Sequence, residues 1–380
     1  MNITQIAVRG EEIVFTLDAP VRQKRLRVSA YPAALGEETE VFSLTLTADG
    51  TQFSLPRRLG GRDGRFLCFV TADESGEVAG KKYVENAPAP ARREEPYPTP
   101  SPRGAVIDDA ASAAAAAASG ARQLLYRISL GDFLLRFPRG EDALLFRYGG
   151  RDYTLRRAAV EAADDALRAA ASAGGAATLM LLNAPVWRWE TEAGMWETIR
   201  HPGFDGEGEA AMFDVVREAG CRYFAAWLSF LAGRWFGASE THGRAVGVIV
   251  GCGANAPRRW MNAGERPLAD AAAECAAALR LAHQTLAAVW PHARVWLPLD
   301  LTPAEAGAWE AGEFLAAVAE IAAREGEIPF HLALRAGAGV DPSAAVAALL
   351  RTPAAAGRRA ILLEAGGAPL PAGVETAFEE

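Results

Sequence analysis

The chain has 380 residues, half of them hydrophobic and 23% charged, which excludes wholesale disorder and leaves room for two domains or a barrel with an accessory module. Its 39 basic residues are outnumbered by 47 acidic ones, a formal charge of −8, and no basic stripe interleaves with aromatics. That balance speaks against nucleic acid and against an anionic membrane surface as partners.

Residues 1–85 read as all-β. Short apolar stretches at 3–8, 12–17, 25–30, 42–46, 52–55 and 66–71 are separated by turns such as Ala48-Asp49-Gly50. RLRVSAY alternates as a half-buried strand does, and the spacing fits a small β-sandwich. Its expected role is a structural cap, with carbohydrate binding as the alternative. The opening MNITQIAVRGEEIVF has no basic n-region and no apolar h-region. The expected location is therefore cytoplasmic, or secreted if the start codon is misannotated. The alanine run 113–118 is too short to span a bilayer. Residues 86–102 hold six prolines, which block helix and ladder alike and predict an extended, semi-rigid linker.

From residue 103 to 380 the pattern becomes alternating strand and helix. Strands are predicted at 104–107, 123–128, 177–182, 245–251, 293–299, 329–334 and 360–363. Alanine-rich helices are predicted at 109–119, 157–173, 214–236, 268–289, 304–325 and 342–350, and a hairpin turns at Gly149-Gly150. Repeated βα units with apolar strands indicate an α/β fold with a parallel sheet under helices. Seven units suggest a TIM barrel, with a doubly wound sheet as the alternative. No G-x-G-x-x-G follows the first strand and there is no Walker loop, so no nucleotide cofactor is expected. The tail AGGAPLPAGVETAFEE carries three glycines and two prolines. It offers no evident eighth βα unit. The barrel is therefore expected to be incomplete at its C-terminus, with a gap between the seventh and first strands, open or filled by the irregular tail itself, a segment of the N-terminal module or a second subunit.

Active residues of a TIM barrel follow the C-terminal ends of its strands. Those ends offer Asp108 and Asp109, then Ser129 and Asp132, then Asn183 with Trp187, Trp189, Glu190, Trp196 and His201. The fourth offers Cys252, Gly253, Asn255 and Trp260, the fifth Asp300, the sixth Arg335 and the seventh Glu364. Indoles at a barrel mouth can stack on sugar rings, or they can pack a long loop. Cys68, Cys221, Cys252 and Cys275 are widely spaced, which favours neither zinc nor disulfides. Cys252 could serve as a nucleophile if His201 or His242 stood beside it, but an inert buried thiol is the simpler expectation. His201 and Asp205 make only two ligands, and no metal is expected.

Several stretches together resemble the bacterial domain of unknown function 5722 family. They are KKYVENA at 81–87, GAVIDDAASAAAAAASGARQLLYRISLGDFLL, FRYGGRDYTL, RHPGF and FDVVREAGCRYFAAWLSFLAGRW. HGRAVGVIVGCGANAPRRWMNAG, REGEIPFHLALRAGAG and GRRAILLEAGG continue the match over most of residues 81–367. The resemblance implies a barrel akin to clan-A glycoside hydrolases. It also implies that the fourth strand should end Gly-Asn-Glu-Val-Asn, with the Glu as acid/base. Here Cys252 replaces the Asn and Gly253 replaces the Glu, while Asn255, Trp260 and Asn262 remain in register. A His-Pro-Tyr at the sixth strand becomes Arg335-Ala336-Gly337, and Asp300-Leu301-Thr302 stands where the family has aromatic and His residues. Glu364 keeps the nucleophile position.

A retaining glycosidase needs two carboxyl groups about 5–5.5 Å apart. Gly253 cannot transfer a proton, and losing a general acid removes roughly 10²–10⁴-fold of rate. The first reading is therefore a catalytically degenerate glycoside-hydrolase-like barrel that is at most carbohydrate-binding. Its substrate contacts would come from Asn255, Trp260, Asn262, His201, Trp187 and Asp300. Glu364 would then be a buried remnant or the partner of an arginine such as Arg335. The alternative is an active retaining glycoside hydrolase using Glu364 with a relocated acid, Asp300 or Glu190. A second alternative is a structural or interaction protein without a sugar ligand. The sequence leaves the oligomeric state open.

Overall fold

The computed structural model describes residues 2–32, 40, 42–59, 62–76, 78–85, 93–137, 140–184, 193–302, 307–336, 342–364 and 371–379. Strands β1 (Ile3–Arg9), β2 (Glu12–Pro32), β3 (Phe42–Pro56), the short pair β4 (Arg58–Leu59) and β5 (Arg62–Asp63), β6 (Leu67–Asp73) and β7 (Val78–Tyr83) make up the N-terminal part. One antiparallel sheet runs β1-β2-β6-β7, with β3 also on β2. Ala30 of β2 pairs in register with Phe69. Phe69 nonetheless meets Phe15, fifteen residues earlier on β2, edge-to-face at 5.2 Å. A straight strand would carry those positions about 50 Å apart. β2 therefore bends, where its pairing with β3 shifts between Thr16 and Lys24 and Gln23 takes φ +42°. The expected sandwich takes the form of a single sheet doubled over its own core of Ile6, Ile13, Phe15, Leu26, Val28 and Phe69.

The second part runs β8 (Arg103–Ile107), α1 (Ala110–Ala118), β9 (Gln123–Ser129), α2 (Leu130–Phe133), β10 (Leu134–Leu135), β11 (Ala143–Tyr148), β12 (Arg151–Arg156), α3 (Arg157–Ser172), β13 (Ala176–Leu182), α4 (Ala193–Ile199), α5 (Glu218–Trp235) and β14 (Ala245–Val250). It continues with α6 (Leu268–Ala287), β15 (Arg294–Asp300), α7 (Ala311–Glu325), β16 (Phe330–Arg335), α8 (Ser343–Leu350), β17 (Ala360–Leu363) and β18 (Val374–Glu379). The predicted hairpin is β11–β12, with Tyr148 opposite Arg151. Eight strands close a barrel in the order β13-β14-β15-β16-β17-β18-β8-β9, each pair parallel. The fold is a TIM-type α/β barrel.

Both faces of these strands are buried, so they read as continuous apolar runs. Ile249, Trp296, Ala333, Ile361 and Phe378 fill the barrel interior. Val248, Leu297, Leu332 and Leu362 face the helices.

The expectation of an incomplete barrel is corrected: β18 pairs with β17 on one side and with β8 on the other. Closure comes from the six residues of β18, which follow Gly373, where the chain turns at φ +87°. Thr376 Oγ1 donates to the Ser101 carbonyl at 2.6 Å, and Arg294 Nη1 donates to Glu375 at 2.7 Å. Gly104 makes the seam possible. A Cβ there would lie 2.6 Å from Cδ1 of Phe378, so the glycine leaves the space that the phenyl ring fills.

The N-terminal sheet leans on α6 and α7. Lys82 Nζ donates to the Arg324 carbonyl at 2.8 Å, the Gln284 amide donates to the Val84 carbonyl, and the Arg280 guanidinium lies 4.4 Å from the Tyr83 ring centre. The proline-rich segment is fastened from Arg93 onward. Trp290 Nε1 donates to the Glu95 carbonyl at 2.7 Å, and Arg93 sits 3.9 Å over the indole. Among the described residues no helix is long and apolar enough to cross a membrane.

Candidate functional site

The C-terminal ends of β15, β16 and β17 are joined by one arginine. Arg335 Nη2 donates to Asp300 Oδ2 at 2.6 Å, and its Nη1 lies 3.9 Å from Glu364 Oε1. Arg335 and Asp300 are both more than nine-tenths buried. Burial opposes the Arg335 charge, but the hydrogen bond to Asp300 and the surrounding acidic groups outweigh it and raise its pKa. Glu364 is not a buried remnant, because 43% of its side chain is exposed. Its backbone is at φ +55°, a conformation non-glycine residues rarely adopt.

The end of β14 is built without an acid. Gly253 adopts φ +54°, and a Cβ on it would stand 3.1 Å from Cδ1 of Trp260. The indole occupies the direction in which a side chain at 253 would leave the backbone. Trp260 is itself approached by two guanidinium groups, Arg335 at 4.7 Å and Arg259 at 5.0 Å from the ring centre. Cys252 beside it is buried, and burial pushes its thiol up to about 12, so the thiolate a nucleophile requires is not formed at neutral pH.

A cleft of about 1110 Å³ opens at this end of the barrel. Its lining comes from the ends of β8, β9 and β13, the first turns of α3, Glu209, Cys252, Trp260 and Glu364. Of the expected site residues it takes in Glu364 and Trp260. It also takes in Asp108 and Asp132, two of the residues noted at strand ends. Glu209 and the α3 alanines of the wall carried no sequence signal.

Other expected contacts are spent inside the protein. Asn255 donates to the carbonyls of Asp300 at 2.9 Å and Trp309 at 2.8 Å, and accepts from the Asp300 N–H at 2.7 Å. It clamps the β14 loop to the end of β15 and does not line the cleft. Asn262 donates to Asp205 Oδ1 at 2.6 Å and to the Glu207 carbonyl at 2.9 Å, and accepts from Gly264 N–H at 2.8 Å. His201 accepts from Gly203 N–H at Nδ1, and its Nε2 lies 3.2 Å from Glu274, which also binds Arg266. Both nitrogens are used, so His201 offers none to a ligand. His242 is held elsewhere, with Nδ1 3.0 Å from Asp164. Among the described residues no group of three or more His, Cys, Asp or Glu could hold a metal ion. Trp196 is buried edge-on against Phe204 at 5.4 Å, so it packs a loop. Trp187, Trp189 and Glu190 lie outside the described residues.

No curated protein matches the chain significantly in sequence. Among solved structures, it is similar to a Paenibacillus sp. cycloisomaltooligosaccharide glucanotransferase complexed with cycloisomaltoheptaose. Identity there is 13%, 95% of this chain and 53% of that one are covered, and the TM-score is 0.39. It is also similar to a calcium-binding mutant of Bacteroides uniformis β-glucuronidase 2 (9% identity, 95% and 39% covered, TM-score 0.37). A third likeness is to an old yellow enzyme homologue from Zymomonas mobilis (12% identity, 71% and 77% covered, TM-score 0.38). The chain spans about half the length of the first of these and less of the second. In sequence, the profile of a family of unknown function matches residues 96–336, more than half of the chain. The chain therefore belongs to the family of unknown function DUF5722.

Proposed function

We propose that this chain is a glycoside-hydrolase-like barrel that has lost acid/base catalysis and binds carbohydrate in the cleft at its C-terminal mouth. The observation that carries the reading is the pair Gly253 and Trp260. The position that the resemblance gives to the acid/base has no side chain, and the space in front of it holds an indole. Glu364, at the nucleophile position, faces the positive charge of Arg335. A carboxylate so paired is a weaker nucleophile, and without an acid the leaving group must depart unprotonated. Carboxylates at the cleft wall can accept hydrogen bonds from sugar hydroxyls, and the Trp260 indole lines the same cleft. In this reading residues 1–85 are a structural cap, 86–102 a linker and 103–380 the binding barrel.

The test measures two things on the intact chain. The first is hydrolysis of aryl glycosides with good leaving groups, the substrates that need an acid least. The second is binding of an oligosaccharide panel, followed by tryptophan fluorescence and calorimetry. Binding without turnover is expected. Turnover that Glu364→Gln abolishes would establish an active enzyme with a relocated acid. Absence of binding by every sugar would leave a structural or interaction protein.

A further inference from the structure

We infer that the cleft receives a glycoside with an apolar aglycone, an alkyl or aryl group, rather than a run of sugar units. The inference deepens the carbohydrate reading and rests on it. The cleft touches the Arg335 network at Glu364 and Trp260 and extends away from it. It lies over β8, β9 and β13, and its floor is the barrel's own interior layer, with Leu125, Met180, Leu182 and Leu363 belonging to the cluster that fills the barrel. One wall is α3, where Ala158, Ala159 and Ala162 present nothing beyond a methyl group and so leave the concavity open. Polar groups also line the cleft, among them Arg127, Ser129, Asp132, Arg156 and Glu209, and two carboxylates stand exposed at the rim, Asp108 at 74% and Glu364 at 43%.

Sites for small molecules are concave and mostly apolar, with a few polar groups that fix orientation, and this volume lies just above their usual range. A sugar chain would set part of its hydroxyls against Leu125, Met180, Leu182 and Leu363, whose side chains carry no polar atom to pair with them. An alkyl or aryl group meets that floor without such a cost. Its glycosyl head then reaches Trp260 and the rim carboxylates, which accept from hydroxyls. Floor and rim are therefore matched to the two ends of an amphipathic glycoside.

The experiment is calorimetry on the full chain with methyl and hexyl β-glycosides of glucose, galactose and mannose, below their micelle concentrations, and with 1-hexanol alone. Each methylene taken wholly from water adds about fourfold in affinity, so even partial burial of the five extra methylenes gives at least about tenfold. The expected result is hexyl over methyl by that factor in at least one sugar series, with 1-hexanol far weaker. Ala162→Trp and, separately, Ala158→Trp should remove the advantage, because both positions are exposed on α3 and a tryptophan there fills the cleft without entering the core. Equal binding of methyl and hexyl glycosides would overturn the aglycone inference while leaving sugar binding intact. Binding of 1-hexanol as tight as that of the hexyl glycosides would overturn it through the sugar, and the carbohydrate reading with it.

Discussion

Gly253 and Trp260 stand in close approach: a Cβ on the glycine would sit 3.1 Å from the indole Cδ1, and the glycine backbone is left-handed at φ +54°. Restoring a glutamate at this position would therefore need both a strained backbone and a displaced ring. Gly253→Glu is expected to lower stability by about 1–3 kcal/mol and to produce no turnover. Thermal melts together with an aryl glycoside assay check both parts. A stable, hydrolytic variant would mean that the rest of a catalytic site is intact.

Arg335 and Asp300 form a buried pair, each side chain 8% exposed. Removing one partner leaves the other charged and desolvated, so Arg335→Met should cost about 3–5 kcal/mol. The double variant Arg335→Met with Asp300→Asn should cost clearly less than the sum of the singles. Denaturant midpoints of the four proteins give the coupling. Additive losses would show that the pair does not hold the ends of β15 and β16.

The seam of the barrel depends on Phe378 filling the space that Gly104 leaves. Phe378→Ala should cost about 3–5 kcal/mol, as other large core truncations do. Gly104→Val should also destabilise, because its side chain meets the phenyl ring. Combining it with Phe378→Leu should recover part of that loss. Hydrogen exchange at β8 and β18 should rise in the single variants. An unchanged melting temperature in Phe378→Ala would argue that closure contributes little.

Two histidines make stability fall on acidification. Burial, followed by the nearby arginine charges, pushes His283 and His331 down to about 4. In the unfolded chain they titrate near 6.5. Between about pH 6.5 and 4 the unfolded state therefore binds protons that the folded state refuses, at up to about 1.4 kcal/mol per pH unit for each histidine. Above about pH 7 the contribution is flat. Glu325, raised by burial, acts in the opposite sense, so the measurement is a comparison. His283→Gln with His331→Gln should lose less stability between pH 7 and 5 than the parent. Parallel urea midpoints in the two proteins would refute the assignment.

The barrel was largely legible in the sequence because its strands are buried on both faces and its helices on one, which imposes two distinct apolar periods. The predicted strand at 360–363 is β17 residue for residue, and the hairpin at Gly149-Gly150 turns where it was expected. The closing strand was not legible. Val374–Glu379 is a six-residue segment after a glycine- and proline-rich tail, and its identity as a strand comes from pairing with β17 and β8.

The candidate site divides in the same way. Sequence alone determined that position 253 carries no acid and that position 364 carries a carboxylate, because chemistry absent from a side chain stays absent in any fold. Only the tertiary structure decided what the remaining polar residues do. Asn255, Asn262 and His201 stand at the right end of the barrel, yet their polar atoms go to loop carbonyls, loop N–H groups and Glu274. The reason is physical. Long loops folded over a barrel mouth bury backbone groups that must be satisfied, and the nearest amide and imidazole side chains meet that need.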